Sequence, residues 1–263
     1  MRALRQQEKI LQMHTNLFIE RLSEKAGHGS KDDGVIFDIA PWFNYLTFDI
    51  FGDLGFGESF DCLQKSQIHP WIAFIFDHVK AAAFLVMTGY YPPLKYLLMK
   101  CVPASLKKVQ QDHFQQIVDK VERRLNWEHE RPDIMSYVMQ ETKGKTNIPM
   151  GEIHATFMLL AIAGSETGAT AMGGIVNYLV QSIDELGHLQ KEVRDAFADA
   201  DMITPDALQD LPYLNAVINE GLRLCPPIPW MLPRRVPAGG DTVCGVWLPG
   251  GVSIFHRLST HAN

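Results

Sequence analysis

The segment Ala163-Gly164-Ser165-Glu166-Thr167 decides how this chain folds, because it places an acid and a hydroxyl in the middle of a long apolar run. It lies near the centre of residues 152–181, which carry the longest helical pattern in the sequence. Burying an unpaired charge is costly, so a carboxyl inside an apolar helix needs a partner, a water-filled groove or a cofactor beside it. The pattern therefore predicts a long central helix with a functional polar pair at its middle.

Two other interpretations fit the same residues. In the first, Glu166 and Thr167 simply face solvent, because a threonine can bond back to the carbonyl oxygen one turn earlier without harm. In the second, the helix spans a membrane, but Glu166 shortens the apolar run below the ~18 residues that a span needs. Residues 1–20 are charged and amphipathic, so we expect neither a signal peptide nor a membrane anchor there.

The composition predicts a globular protein that does not bind nucleic acid. Of the 263 residues, 46% are hydrophobic, which is enough to fill a sizeable core. The formal net charge of −6 offers no basic field for DNA or RNA. The cysteines are far apart and contain no C-x-x-C pair, which argues against a zinc knuckle or a dense disulfide framework and favours a reducing compartment.

Helical patterns also fill the sequence before the central helix. A helix over 36–51 is expected to break at three glycines that are too closely spaced for a helix interior, Gly52, Gly55 and Gly57. Another helix is predicted over 104–126, where it follows a proline in the favoured first-turn position.

Capping and proline signals divide the chain after the central helix. Ser182-Ile183-Asp184-Glu185 has the spacing of a capping box, and Thr204-Pro205 repeats the signal for a helix start. Pro212 begins a helix that must end by Pro226-Pro227. Beyond it, glycine-rich turns and the β-prone run 242–247 predict a small hairpin. The fold class is therefore mainly α, with a minor β element near the C-terminus.

Two charged motifs lie downstream of the central helix. Glu220 and Arg223 are three residues apart on one helix face and can pair. Most such pairs are solvated and contribute well under ~1 kcal/mol, but apolar neighbours on both sides favour a buried structural clamp. Arg234 and Arg235 are adjacent and can anchor a carboxylate or phosphate, although such a pair is more often ordinary surface charge.

Together, in this order and at these separations, the three motifs resemble the cytochrome P-450 superfamily of haem-thiolate monooxygenases. The family's oxygen-activation motif (A/G)-G-x-(D/E)-T matches residues 163–167, and its E-x-x-R helix matches residues 220–223. Residues 48–60, FDIFGDLGFGESF, are similar to fungal members that act on benzoate or in secondary metabolism.

The resemblance covers essentially the whole chain and implies a partial cytochrome P-450 fold. In that fold residues 1–263 form a single incomplete domain, with a helical region over 1–225 and a short β region over 236–256. The long central helix is expected to lie against the haem.

The resemblance also implies a role for each residue of the central motif. Ala163 and Gly164 are expected to leave room for oxygen beside the haem, because larger side chains would fill the gap. Thr167 is expected to hydrogen-bond oxygen held at the iron, and Glu166 is expected to relay the protons that the reaction consumes.

The remaining motifs complete this set of expectations. Arg234, or in second place Arg235, is expected to pair with a haem propionate, while Glu220 and Arg223 hold the scaffold as a structural ion pair. In the family the axial ligand is a cysteine within F-x-x-G-x-R-x-C. The four cysteines of this chain stand in other contexts, so we assign no metal ligand within it and expect that cysteine beyond Asn263.

The function implied is that of a haem-dependent monooxygenase, an oxidoreductase that inserts one atom of molecular oxygen into a hydrophobic small molecule. Iron protoporphyrin IX is the expected cofactor, and electrons are expected from NADPH through a reductase. A membrane anchor upstream of the chain would place the full-length protein at the endoplasmic reticulum membrane, and the chain alone is expected to be inactive. The alternative is a non-catalytic truncated helical protein that binds an apolar ligand or a partner.

Overall fold

A computed structural model describes residues 2–27, 35–69, 88, 91–101, 104–127, 131–143, 148–229 and 234–254. Within these ranges the chain is mainly helical, with short strands near the C-terminus, so the predicted fold class is confirmed. The chain forms two compact units, Met1–Thr170 and Ala171–Asn263, and the boundary between them falls inside the longest helix.

The first unit contains α1 (Arg2–Gly27), α2 (Ala40–Phe56), α3 (Cys62–Lys65), α4 (Pro92–Cys101), α5 (Ala104–Leu125), α6 (Ile134–Lys143) and most of α7 (Met150–Gln181). The second unit contains the end of α7, α8 (Ile183–Ala196), a 3-10 turn (Ala200–Met202), α9 (Pro205–Gln209), α10 (Pro212–Leu224), β1 (Arg234–Arg235), β2 (Asp241–Val243), β3 (Val246–Leu248) and β4 (Ser253–Ile254). Two predicted helices are confirmed. The helix predicted over 104–126 is α5, and the central helix predicted over 152–181 is α7.

An aromatic cluster on α2 forms the centre of the first unit's core. The rings of Phe51 and Phe56 are perpendicular with centroids 5.4 Å apart, and Phe56 also lies 5.9 Å from Phe157 of α7. All three side chains are buried. Aromatic pairs at such distances contribute about 0.5–1.5 kcal/mol each beyond the area they bury, so the cluster fixes α2 against α7.

The glycine cluster ends α2 later than the sequence predicts. The helix continues through Gly52 and Gly55 and stops at Gly57, which has the left-handed conformation with φ 75°. A Cβ added at Gly52 would lie 2.8 Å from the ring of Phe60 and 2.9 Å from the carbonyl oxygen of Glu58. The prediction of a break at Gly52 and Gly55 is wrong, because close packing offsets the ~1 kcal/mol that a helical glycine costs.

Two buried carboxylates one turn apart on α2 connect it to its neighbours. Asp49 accepts hydrogen bonds from the first two backbone N–H groups of α3, at 3.0 and 2.8 Å. Asp53 lies 2.9 Å from Nε2 of His14 on α1 and also pairs with Arg131. Because a buried carboxylate without partners is unfavourable, these contacts set where α1 and α3 lie along α2.

A second buried ion pair joins α5 to the start of α6. Arg124 donates to both carboxylate oxygens of Asp133, at 2.7 and 3.1 Å, and to the hydroxyl of Ser136 at 2.9 Å. Arg124 and Asp133 are almost completely buried. The pair is therefore satisfied by hydrogen bonds on both sides, which is the arrangement that makes a buried charge tolerable.

In the second unit, α10 receives its N-terminal cap from a different helix. Glu192 of α8 accepts the backbone N–H groups of Tyr213 and Leu214, at 2.9 and 2.8 Å. The residue before α10, Leu211, has no side-chain oxygen that performs this role. A carboxylate at a helix N-terminus also interacts favourably with the helix dipole, so Glu192 ties α8 and α10 together.

Of the two predicted capping signals, one forms its side-chain bond and one does not. Thr204 accepts the backbone N–H of Ala207 at 3.2 Å, as predicted. Ser182 precedes α8 but makes no side-chain cap bond, so that part of the capping-box prediction is wrong. Only Ser182 separates α8 from α7, and its φ of −125° and ψ of 75° lie outside the usual capping conformation.

The β element consists of two antiparallel pairs. The hairpin predicted over 242–247 is confirmed, with Thr242 opposite Trp247 and a turn at Cys244 and Gly245, both at positive φ. In the other pair, Arg234 lies opposite Ile254. The β region therefore begins two residues earlier than the predicted 236–256, and its last two predicted residues lie outside the described ranges.

Replacing Arg124 with alanine is expected to lower the free energy of unfolding by about 3–5 kcal/mol, because Asp133 would remain buried without its cation. Arg123→Ala is the matched control, since this neighbouring guanidinium is 57% exposed and its pairing with Glu58 is worth ~1 kcal/mol or less. Urea denaturation followed by circular dichroism measures both variants. Equal losses in the two would contradict a dominant buried pair.

Candidate functional site

The central helix α7 buries a stripe of small residues that includes Ser165, the middle residue of the motif. Ala161, Ser165 and Ala169 are buried at four-residue spacing. Ser165, for which the sequence predicts no role, is fully buried and its hydroxyl donates to the carbonyl of Ala161. The four-residue spacing of small residues is the signal in the sequence that identifies this face.

Ala163 and Gly164 form a shallow surface on the exposed side of α7. Both residues are exposed, and a Cβ added at Gly164 would meet only the ring of Phe51, at an ordinary contact distance of 3.5 Å. One turn earlier, Leu159 is 65% exposed. This side of the helix is therefore apolar, with little side-chain bulk at the motif.

Glu166 is the partly buried acid of the motif. Its Oε2 atom is shielded from solvent and has no hydrogen-bond partner among the residues that the structure describes. Burial raises the pKa of the Glu166 carboxyl above its ordinary value. The side chain is therefore more easily protonated than a surface glutamate, which suits a group that passes protons.

Thr167 makes the local hydrogen bond that the solvent-facing interpretation anticipated. Its hydroxyl donates to the carbonyl of Ala163 at 2.7 Å, one turn back along the helix. Glu166, in contrast, does not simply extend into water. The geometry thus places a hydroxyl at the exposed small-residue surface and an unsatisfied acid next to it in the chain.

The Glu220–Arg223 pair forms as predicted but not in the predicted environment. Arg223 donates two hydrogen bonds to the carboxylate, at 2.7 and 2.6 Å. These bonds lower the pKa of Glu220. Both side chains are exposed, so the prediction of a buried clamp is wrong. The packed side of α10 carries Gly221, which lies against Ile175 of α7, and the ion pair projects from a different side.

Arg234 and Arg235 are exposed on the short strand β1. Neither forms an ion pair with a carboxylate within the part of the chain that the structure describes, and Arg235 makes only a long 3.4 Å hydrogen bond to the carbonyl of Gly251. Their guanidinium groups are therefore accessible to an anionic group.

The three cysteines whose surroundings the structure describes lie in different environments. Burial, together with the neighbouring Asp49 carboxylate, raises the pKa of the Cys62 thiol to about 12. Cys225 closes α10 and Cys244 lies in the hairpin turn, as predicted. The described residues contain no cluster of three or more histidine, cysteine or acidic side chains that could hold a metal.

The fold itself is that of the cytochromes P450. The structure matches a crystal structure of a cytochrome P450, CYP102L1, with a TM-score of 0.74 over 98% of this chain and 55% of that chain, at 19% sequence identity. The family model for cytochrome P450 matches residues 1–261. The chain therefore belongs to the cytochrome P450 family, as the sequence motifs indicated.

Fungal enzymes are among the relatives. The chain is 38% identical to cytochrome P450 monooxygenase atr2 of Stereocaulon alpinum, over 99% of this chain and 51% of the relative. It is 40% identical to cytochrome P450 monooxygenase astJ of Aspergillus oryzae, over 96% and 50%. An averantin hydroxylase of Dothistroma septosporum is 36% identical, over 96% and 47%. The chain thus spans about half the length of the curated relatives it matches, and the predicted fungal character is confirmed.

The length and composition of α7 also fit a membrane span. Among the described helices, Met150–Gln181 alone is long and apolar enough for one, so the expectation that Glu166 makes the run too short is wrong by this measure. Length and composition are weak evidence, because the central helix of a water-soluble fold passes the same test.

The raised pKa of Glu166 predicts a specific pH dependence of stability. The folded chain binds this proton more tightly than the unfolded chain, so the free energy of unfolding should fall as the pH rises from the ordinary carboxyl pKa to the raised one. Glu166→Gln removes the ionisation, and the stability of this variant relative to wild type should increase across that range. Urea titrations at several pH values test this, and a difference that stays constant with pH would contradict it.

Proposed function

We propose that the full-length protein is a haem-dependent monooxygenase that inserts one atom of molecular oxygen into a hydrophobic small molecule. Membership of the cytochrome P450 family supports the reaction class, and the relatives atr2 and astJ are named as monooxygenases. In this proposal, iron protoporphyrin IX is the cofactor and a reductase delivers electrons from NADPH.

The exposed side of α7 suits a flat, apolar macrocycle. Ala163 and Gly164 present almost no side-chain bulk, and the exposed Leu159 extends the apolar surface by one turn. Arg234, or Arg235 in second place, offers a guanidinium for a propionate. Leu159, Ala163 and Gly164 fit the flat face of haem, and we assign them to hold it; the propionate role of the β1 arginines is a separate assignment that follows from their accessible guanidinium groups.

When bound, thiolate-ligated haem supplies the redox chemistry that activates molecular oxygen. The chain's own contribution is to hold and move protons. Thr167 carries a hydroxyl that can donate and accept at the Ala163–Gly164 surface. Glu166 can bind a proton through its raised pKa and pass it towards that hydroxyl. The observation that carries the proposal is the shielded Glu166 oxygen without a hydrogen-bond partner among the described residues.

We further propose that residues 1–263 belong to one P450 domain, since α7 runs through both compact units. Glu220 and Arg223 act as a structural pair rather than at the reacting atoms. The axial thiolate would come from a segment outside this chain, because a thiol with a pKa of about 12, such as that of Cys62, is a poor ligand. The full-length protein would act at the endoplasmic reticulum membrane.

Thr167→Ala in the full-length protein is expected to uncouple oxygen consumption from product formation. Product formed per NADPH should fall by on the order of 100-fold, the lower end of what a positioned proton-transfer group contributes, while peroxide release rises. Thr242→Ala, in the exposed hairpin, is the matched control and should leave coupling unchanged. Coupling that is the same in wild type and Thr167→Ala would remove Thr167 from the mechanism.

The reduced carbon monoxide complex provides a spectroscopic test of the cofactor. The full-length protein, reconstituted with haem, should show the absorption band of thiolate-ligated haem. The 263-residue chain alone, treated identically, should not show it, because its described cysteines lack the environment of an axial ligand. A thiolate band from the chain alone would contradict the assignment of the ligand to another segment.

A further inference from the structure

We propose that Thr47 of α2, through its contact with Gly168 of α7, positions Glu166 and Thr167. Thr47 and Gly168 are positioning residues rather than catalytic residues, because neither belongs to the surface assigned to haem. The inference rests on the proposed function of the central motif and adds how the rest of the first unit holds that motif in place.

Two glycines of α7, one on each side of the segment that contains Glu166 and Thr167, face side chains of α2. A Cβ added at Gly168 would lie 3.3 Å from Cγ2 of Thr47, tighter than most real contacts. A Cβ at Gly164 would lie 3.5 Å from the ring of Phe51. Gly168 thus lies near Thr47, and Gly164 lies near Phe51. Because the order is reversed between the two helices, they run antiparallel here, and a step of four residues on one matches a step of four on the other.

Thr47 can position α7 because hydrogen bonds hold its own side chain in a single rotamer. Its hydroxyl donates to the carbonyls of Phe43 and Asn44, at 3.0 and 3.2 Å, and the side chain is buried. Threonine is β-branched, so fixing the hydroxyl also fixes the methyl group. That methyl group is the atom that any side chain at Gly168 would meet.

A shift at Gly168 reaches the motif because the intervening turn is rigid. Successive helical residues differ by about 100° around the axis, so Glu166 and Thr167 point in directions set by the rotation of the whole turn. Ser165 is buried between the two glycines in the chain, and its hydroxyl donates a hydrogen bond to the carbonyl of Ala161. This turn of the helix therefore does not deform easily. Moving α7 away from α2 would therefore change the burial of Glu166 and the placement of the Thr167 hydroxyl together.

The test uses a substitution and its compensating partner. Gly168→Ala adds the methyl group that meets Thr47, and Thr47→Ser removes Cγ2 while keeping the hydroxyl that bonds to Phe43 and Asn44. Gly151→Ala is the matched control, because it lies in the exposed first turn of the same helix with no atom within 4 Å of the added Cβ.

The first readout is the pKa of Glu166 in the 263-residue chain, measured by NMR of carboxyl-labelled glutamate and assigned with Glu166→Gln. Gly168→Ala should move this pKa down towards the ordinary value, because a gap between the helices admits water. Adding Thr47→Ser should restore the wild-type pKa, and Gly151→Ala should leave it unchanged. If Gly168→Ala alone does not fold, the double variant must fold and show the wild-type pKa.

A purely structural contact gives a different result. Gly168→Ala would then lower the unfolding free energy without moving the Glu166 pKa, or Thr47→Ser would fail to restore it, and either outcome overturns the proposal. In the full-length protein, Gly168→Ala should also lower product formed per NADPH, with restoration by Thr47→Ser. If Thr167→Ala leaves coupling unchanged, the proposed role of Thr167 fails, whereas the NMR result on positioning is decided independently.

Discussion

The core of the first unit depends on the aromatic side chains of α2, which pack against Phe157 of α7. On α7, Ala161 belongs to the same core cluster as Phe51 and Phe56 of α2, and Ser165 and Ala169 continue a buried stripe of small residues at four-residue spacing. Larger residues on that stripe would force the helices apart, since protein interiors have little free volume. Because one side of α7 is buried in this packing, the rotation of the helix is fixed, and so are the directions in which Glu166 and Thr167 project.

The buried carboxylates of the first unit have hydrogen-bond partners among the described residues, with the Glu166 carboxyl as the exception. Asp49 accepts backbone donors, Asp53 has His14 and Arg131, and Asp133 has Arg124. Glu166 instead keeps one shielded oxygen without a hydrogen bond. A protein that satisfies its other buried carboxylates leaves one unsatisfied where a proton or a ligand is to be handled, which is why this residue carries the functional proposal.

The charged contacts of the second unit are a helix cap and an exposed ion pair rather than buried carboxylates. Glu192 caps α10 from the neighbouring helix, and the Glu220–Arg223 pair is exposed. Exposed pairs contribute little stability, so packing, for example of Gly221 on α10 against Ile175 on α7, matters more than the Glu220–Arg223 pair. In the proposed full-length protein, the exposed Glu220–Arg223 pair would contact the remainder of the domain. The two arginines of β1 would bind the cofactor.

The sequence by itself determined the helical class, the limits of α5, α7 and α10, the hairpin and the family, because periodicity, prolines and the three motifs are local signals. It did not determine that α2 passes through Gly52 and Gly55, or that Glu220 and Arg223 are exposed. Those outcomes depend on which side of each helix meets a neighbour, and a local pattern does not encode that. The cap that Glu192 supplies and the Thr47–Gly168 contact likewise join residues distant in the chain, so only the tertiary structure decided them.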